Sequence, residues 1–250
     1  QSDSLFHSEF GVDGLNNLSA LKTILKEENL KVVSPGNNYT WRHHGETWET
    51  LSRDRAMFGD FDTIEDYVLA SQYIQGEGLR YALEANRRRA YRNSGSIIWQ
   101  VNEPWVNCSC TSLVDYYGTP KLAYYMVQKA FQQVDPNIRY DKLTWAPDEN
   151  VTFDFYVTSD LDVAPVEATL RVLDDNGSCV LEKKATVEVG DGRSVLVEAG
   201  LSVPMGSNHA LTVEMEVVAG GKTYTSTTLL LARLGEACDL NVVRQYVAKY

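Results

Sequence analysis

The 250-residue chain contains no run of 18 or more apolar residues, so no helical membrane span is expected. Gln1–Phe10 shows no basic stretch followed by an apolar one, so no signal peptide is expected there. Cysteine is scarce. Cys108, Cys110, Cys179 and Cys238 match neither a zinc-ligand spacing nor the dense framework of a small secreted domain. Cys108 and Cys110 are too close in sequence to bridge each other without strain, and small buried thiols are the expectation. There are four histidines, and the adjacent His43 and His44 lack both helical i, i+4 spacing and a nearby third ligand. No metal and no cofactor are expected. Positive charge is also short, with 23 Lys and Arg against 34 Asp and Glu, a net of −11. That balance argues against nucleic acid or an anionic membrane as partner. The one basic run, Arg87-Arg88-Arg89, falls near a helix end, where cations suit the dipole. Five Asn-x-Ser/Thr sequons, at Asn17, Asn38, Asn107, Asn150 and Asn176, leave the compartment open.

What is present divides the chain in two. Residues 1–139 carry 14 basic and 17 acidic side chains, a net of −3, with 18 aromatics. Residues 140–250 carry 9 and 17, a net of −8, with 8 aromatics. The first part reads as strand, loop and helix, twice over. Ser4–Phe10 is a strand running into Gly11, and Leu15–Glu28 has helical apolar spacing. Residues 29–49 read as a long loop. Thr63–Arg92 is the strongest helical stripe, with Thr63 and Asp66 as a cap and Gly76 and Gly78 as a bend or break. Ser96–Val101 is a buried strand, 102–117 a loop, and Pro120–Val134 a last helix. This order is that of parallel β/α units. Two such strands alone leave both edges open, so further strands must come from elsewhere in the protein or from another copy.

After Tyr140 the period changes to two. Val151, Phe153, Phe155 and Val157 alternate, and turn residues such as Asp174-Asp175-Asn176-Gly177 and Gly220-Gly221 recur about every ten positions. About seven strands of this kind indicate an immunoglobulin-like β-sandwich, without the Cys…Trp…Cys core of an antibody domain. The expected fold class is therefore α/β followed by all-β. Its divisions are 1–139, 140–235, and a tail at 236–250 with a short helix.

In parallel β/α folds the chemistry stands just past the carboxyl ends of strands. Glu9 is there, and the glycine two residues later permits close approach of a substrate. Trp99 ends the second strand and offers a face on which a sugar ring can lie, with Asn102 beside it as donor and acceptor. Trp41 and His43, on the loop between, are further candidates to line the site. Glu103 is followed by Pro104 and reads as part of a structural turn.

Four segments in order then match a known pattern: Phe6–Gly11 (FHSEFG), Ile74–Glu84 (IQGEGLRYALE), Gly95–Trp105 (GSIIWQVNEPW) and Ser112–Lys121 (SLVDYYGTPK). Together they resemble the carboxyl-terminal part of the catalytic barrel of family 2 glycoside hydrolases, the β-mannosidase branch above all. The resemblance covers residues 4–132. It implies the last β/α units of a (β/α)₈ barrel, a retaining exo-β-glycosidase, and an oligosaccharide or glycoside as substrate. Glu9 would be the nucleophile, Trp99 the floor for the terminal sugar and Asn102 its polar neighbour. Where the family has Asn-Asp, this chain has Asn102-Glu103. The family's acid/base Glu follows an Asn on an earlier strand, and Glu46, Glu49, Glu77 and Glu103 do not share that context. The chain alone is therefore expected to be inactive, needing the amino-terminal part of the protein or self-association. Galactose-, glucosamine- or glucuronate-specific members are alternatives within the family. A non-catalytic carbohydrate-binding or interaction fragment is the alternative outside it, and glycan binding by the sandwich would need exposed aromatics among Trp145, Phe153, Tyr156 and Tyr224.

Overall fold

The computed structural model describes residues 4–45, 50–190 and 193–250. Strand β1 (His7–Phe10) pairs in parallel with β3 (Ser96–Ile98), His7 opposite Ser96 and Phe10 opposite Ile98. These are the two parallel strands expected. Strand β3 is shorter than the 96–101 run, however, and Ile97 within it is exposed rather than buried. The chain leaving each strand turns back, and β2 (Gly14–Leu15) pairs antiparallel with β4 (Ser109–Cys110). Helices α1 (Leu18–Ile24), α4 (Ile64–Arg87) and α5 (Leu122–Ala130) occupy the helical readings. The loop read over 29–49 instead holds helix α2 (Tyr39–His43), and α3 (Leu51–Phe58) follows it. The Asn38 side chain caps α2 by accepting from the N–H groups of Thr40 and Trp41 at 3.0 and 3.2 Å.

Thr63 and Asp66 form the expected cap of α4: the Asp66 N–H donates to the Thr63 hydroxyl at 3.1 Å. Gly76 and Gly78 do not break this helix, which runs unbroken for 24 residues. Gly76 is instead a point of close approach, because a Cβ there would lie 2.5 Å from Met126 Sδ and 3.3 Å from Ala123 Cα on α5. Helix α4 is buried beyond its apolar stripe. Ser71, Gln72, Gln75, Glu77, Arg80 and Glu84 are all buried as well, and the Arg80 guanidinium holds both Glu77 oxygens at 2.6 and 3.1 Å.

Helix α5 ends at Ala130, short of the expected Val134. Strand β5 (Val134–Tyr140) begins there, and Pro136 sits within it, as an edge strand allows. It belongs to a three-stranded sheet ordered β10-β7-β5, with β7 (Asn150–Ser159) in the middle and β10 (Arg193–Pro204) at the edge. A five-stranded sheet is ordered β6-β12-β11-β8-β9. Its strands are β6 (Thr144–Trp145), β8 (Val163–Leu173), β9 (Cys179–Val189), β11 (Ala210–Ala219) and β12 (Lys222–Ala232). Alternation is visible in burial. Val151, Phe153, Phe155 and Val157 of β7 and Leu211, Val213, Met215 and Val217 of β11 are all inside. Edge strand β9 is mostly exposed and carries Glu182, Lys183, Lys184 and Glu188, charges that discourage pairing with another chain. At the β8–β9 hairpin, Asp174 accepts from the N–H groups of Asn176 and Ser178, and Gly177 adopts φ +76°. Helix α6 (Leu240–Val247) ends the chain.

By contact the chain divides into two compact units. One holds residues 7–81, 96–128 and 243–250. The other holds the chain up to Phe6, with 82–95 and 129–242. The arginine run is spent inside the second unit. Arg87 donates to the carbonyls of Ala130 and Gln132 at 2.6 and 2.9 Å, and Arg88 to Asn137 Oδ1 at 2.7 Å. Arg89 reaches the Ser4 carbonyl at 3.2 Å. Of the aromatics on which glycan binding by the sandwich would rest, Trp145 and Phe153 are buried. Tyr224 is half-buried, as is Tyr156, which lies under the Arg88 guanidinium at 5.7 Å from ring to cation.

Candidate functional site

The two parallel strands bring Glu9 and Trp99 to the same end of their sheet. The Trp99 N–H donates to the Phe10 carbonyl at 2.8 Å, one residue beyond Glu9. The Glu9 side chain is exposed. Gly11 makes the close fit: a Cβ there would lie 2.5 Å from the Trp99 carbonyl oxygen and 3.0 Å from Thr111 Cβ. Only a residue without a side chain lets the two strand ends lie this close. Trp99 is 51% exposed, a large apolar ring left in solvent at a strand end. Asn102 is exposed on the same loop, its backbone bridged to Val114.

Trp41 is placed differently. It is completely buried, and its indole N–H donates to the Asn29 carbonyl at 2.8 Å. It is a packing residue of the 29–45 segment and presents no face to a sugar, because α2 turns it inward. His43, two residues on, is exposed, and lies edge-on to Trp105 with ring centroids 6.1 Å apart. His44 stacks on Trp105 at 6.2 Å and 14°, and its Nδ1 lies 2.9 Å from the Val106 carbonyl. The 29–45 segment is therefore hooked to the loop after β3, a link also made by the Cys108 N–H to the His44 carbonyl and by a Gly45–Ser109 bridge.

Beneath the loop lies a buried polar network that motif reading does not reveal. The Glu103 carboxyl accepts from Ser112 Oγ at 2.6 Å, from Asn16 Nδ2 at 3.0 Å and from the Asn107 N–H at 3.4 Å. Burial pushes its pKa above the ordinary carboxylate range, against the opposing pull of these donors and of Lys121. Glu103 is thus the peg under the segment that carries Asn102 and Trp105. Lys121 is completely buried, donating to the carbonyls of Gly14 and Cys110 at 3.1 and 2.9 Å, and burial lowers its pKa to about 8. The Asp115-Tyr-Tyr-Gly118 turn delivers Lys121 to that position. Asp115 Oδ1 accepts from the N–H groups of Tyr117 and Thr119 at 3.0 and 2.9 Å, and Gly118 takes the left-handed φ of +83°. In this chain the DYYG…K motif is scaffold. From α4, Gln72 donates to the Leu15 carbonyl, and Gln75 to the carbonyls of Cys110 and Ser112. The returning loops and the short β2–β4 ladder thereby gain side-chain donors for their carbonyls.

The other carboxyls raised from sequence are accounted for. Glu77 is held by Arg80 and Glu103 by its loop, while Glu46 and Glu49 lie outside the described residues. None of the four cysteines is in a disulfide; Cys179 is exposed and the rest are buried. Desolvation raises the Cys108 thiol to about 12 and the Cys238 thiol to about 11. Among the described residues no three of His, Cys, Asp and Glu gather as a metal site.

No family model matches the chain. It is 26% identical over 231 residues to the β-mannosidase B of Aspergillus niger, covering 86% of this chain and 26% of that protein. It is 25% identical over 214 residues to the β-mannosidase B of Aspergillus clavatus, covering 78% and 25%. Its fold matches a β-D-mannosidase from Dictyoglomus thermophilum with a TM-score of 0.73 at 21% identity, over 90% of this chain and 27% of that one. An exo-chitosanase from Amycolatopsis orientalis matches with a TM-score of 0.72 at 18% identity, over the same shares. The chain thus spans about a quarter of the length of the relatives it matches. In sequence and in fold alike it is similar to β-mannosidase-like proteins of glycoside hydrolase family 2, as its four motifs imply.

Proposed function

We propose that this chain is the carboxyl-terminal part of a retaining exo-β-glycosidase acting on terminal β-mannosides. The observation that carries the reading is the exposed Glu9 carboxylate at the end of a parallel strand, tied through Phe10 to the exposed ring of Trp99. Here β1 and β3 are the last units of a (β/α)₈ barrel, and the two sheets are an immunoglobulin-like accessory sandwich. The expected barrel part, 1–139, gives up its last residues to the sandwich, because β5 (Val134–Tyr140) pairs with β7; 140–235 continues the sandwich and 236–250 is the tail. Glu9 attacks the anomeric carbon and its oxygen becomes bonded to the sugar as the glycosidic oxygen leaves with a proton from a second carboxyl. Water, deprotonated by that same second group, then releases the sugar from Glu9. Trp99 floors the terminal ring and Asn102 bonds its hydroxyls. A retaining pair stands about 5–5.5 Å apart, and by the family resemblance the second carboxyl stands on an earlier barrel strand, a context that Glu46, Glu49, Glu77 and Glu103 lack. The acid/base group is therefore assigned to another segment of the protein or to a second copy, and the isolated chain is inactive.

In the full-length protein, Glu9→Ala is expected to lower turnover of an aryl β-mannoside by at least about 10³-fold, some 4 kcal/mol of transition-state stabilisation. A fluorinated mannoside that traps the intermediate should label the peptide bearing Glu9. Labelling elsewhere, or turnover by the isolated chain that Glu9→Ala abolishes, would overturn the corresponding part of the reading. A glucosaminide specificity is the second reading, favoured by the exo-chitosanase match, whose structure is a complex with a β-D-glucosamine derivative. Parallel assays with aryl β-glucosaminide separate the two.

A further inference from the structure

We infer that Tyr39, His43 and Trp105 form a platform for the second sugar of the glycoside, on the leaving-group side. This rests on the reading of Glu9 and Trp99 as the site of the terminal sugar.

Three large side chains here are left in solvent or nearly so. Tyr39 is 79% exposed, Trp105 50%, and His43 is exposed between them. Exposing such rings forgoes the apolar burial that their faces could gain. The rings are nevertheless ordered against one another. Tyr39 is stacked parallel to His43 at 6.2 Å and 10°, and His43 meets Trp105 edge-on at 90°. His44 covers Trp105 from one side and is itself fixed at Val106, so the Trp105 ring keeps its orientation while remaining half open. Each ring carries a polar edge: a phenol, an imidazole and an indole N–H. Apolar faces with polar rims suit a pyranose, whose C–H face stacks while its hydroxyls bond outward.

Position assigns the platform to the leaving group. Trp105 lies on the loop that starts at Trp99 and carries Asn102. Glu103, pegged by Asn16, Ser112 and Asn107, fixes that loop between them. An exo-acting site holds the terminal ring at Trp99, so the next ring of the same glycoside meets the side chains further along the loop.

The test labels the full-length Glu9→Ala protein, which binds without turnover, with 5-fluorotryptophan and assigns the fluorine resonances by adding Trp99→Phe and Trp105→Phe. Methyl β-mannoside and β-1,4-mannobiose are then titrated separately. The disaccharide is expected to shift both resonances and the monosaccharide only that of Trp99. Tyr39→Ala, a change at a surface position, should weaken the disaccharide about fivefold and leave the monosaccharide unchanged. A Trp105 signal that stays still while Trp99 responds to both sugars would overturn the platform and leave the functional reading intact. So would a Trp105 signal that both sugars shift equally. A shift at Trp105 alone with mannobiose would support the platform and sink the assignment of Trp99. Silence at both positions would sink both.

Discussion

At the centre of the sandwich stand Val157, Phe155, Leu170 and Val213, all without solvent exposure. At similar depth beneath the strand ends stand Glu103, Lys121, Gln75 and Asp115. The first set is held by apolar area and by ladders whose hydrogen bonds are made by the backbone itself. The second set bonds to carbonyls and N–H groups of the loops after β1 and β3 and of the two-residue β2–β4 ladder, where regular backbone pairing is short. The sandwich is therefore tolerant of exchange among apolar side chains of similar volume, whereas the strand-end network loses a specific partner at each substitution. The exposed residues Asn102 and Trp105 stay placed because Glu103 below them is bonded on three sides.

The largest effect expected from this contrast is in the sandwich, where Phe155→Ala should cost about 4 kcal/mol through lost burial and the cavity left behind. Denaturant titration reads it directly, and a cost below about 1 kcal/mol would mean the inner layer is not the packed core described. The next concerns Lys121. With its folded pKa near 8 and an ordinary value of 10.5, between those pH values the unfolded chain still holds a proton that the folded lysine has released. The unfolded state then binds more protons, so stability rises with pH across this window, by up to about 3 kcal/mol from this one group. The neutral amine keeps two hydrogens for the Gly14 and Cys110 carbonyls. Glu103 acts in the opposite sense, since its raised pKa leaves the folded state holding a proton that the unfolded carboxyl has lost, and stability falls as pH climbs above the ordinary carboxylate range. Comparing stabilities of the wild-type chain and Lys121→Met at pH 7 and pH 10 isolates the lysine. An identical pH slope in both proteins would dismiss its role. The smallest effect lies at the sandwich surface. Lys183 and Glu198 are 3.9 Å apart and well exposed, and Lys183→Ala should change stability by less than about 0.5 kcal/mol.

The regular parts of the molecule are legible in the residues. Period-two runs mark β7, β8 and β11, and the Asp174–Gly177 turn marks its hairpin, because a half-buried strand writes its burial into alternate positions. Strand β5 is hidden by Pro136 and by apolar residues continuing from α5. Strand β6, two residues long, has no period to show. Helices α2 and α3 are short and carry weak apolar spacing, so 29–60 offers no helical signal. In the site, Glu9, Trp99 and Asn102 are visible as types at strand ends. The network is not, because its partners lie far apart in sequence: Asn16 and Glu103 are 87 residues apart, and Lys121 and Gly14 are 107 apart. Trp41 shows the converse. A tryptophan beside two histidines looks like part of a site, but α2 turns it inward.

The uneven burial of the cysteines gives the chain a single chemical address. Thiol reagents act on exposed thiolates, and Cys108, Cys110 and Cys238 are sealed away, two of them with raised pKa values. Cys179, at the start of strand β9, faces solvent. A maleimide dye or spin label added to this chain would settle there, at the hairpin that Asp174 and Gly177 build. The sandwich thus carries a built-in point of attachment, on a different unit from the one bearing Glu9.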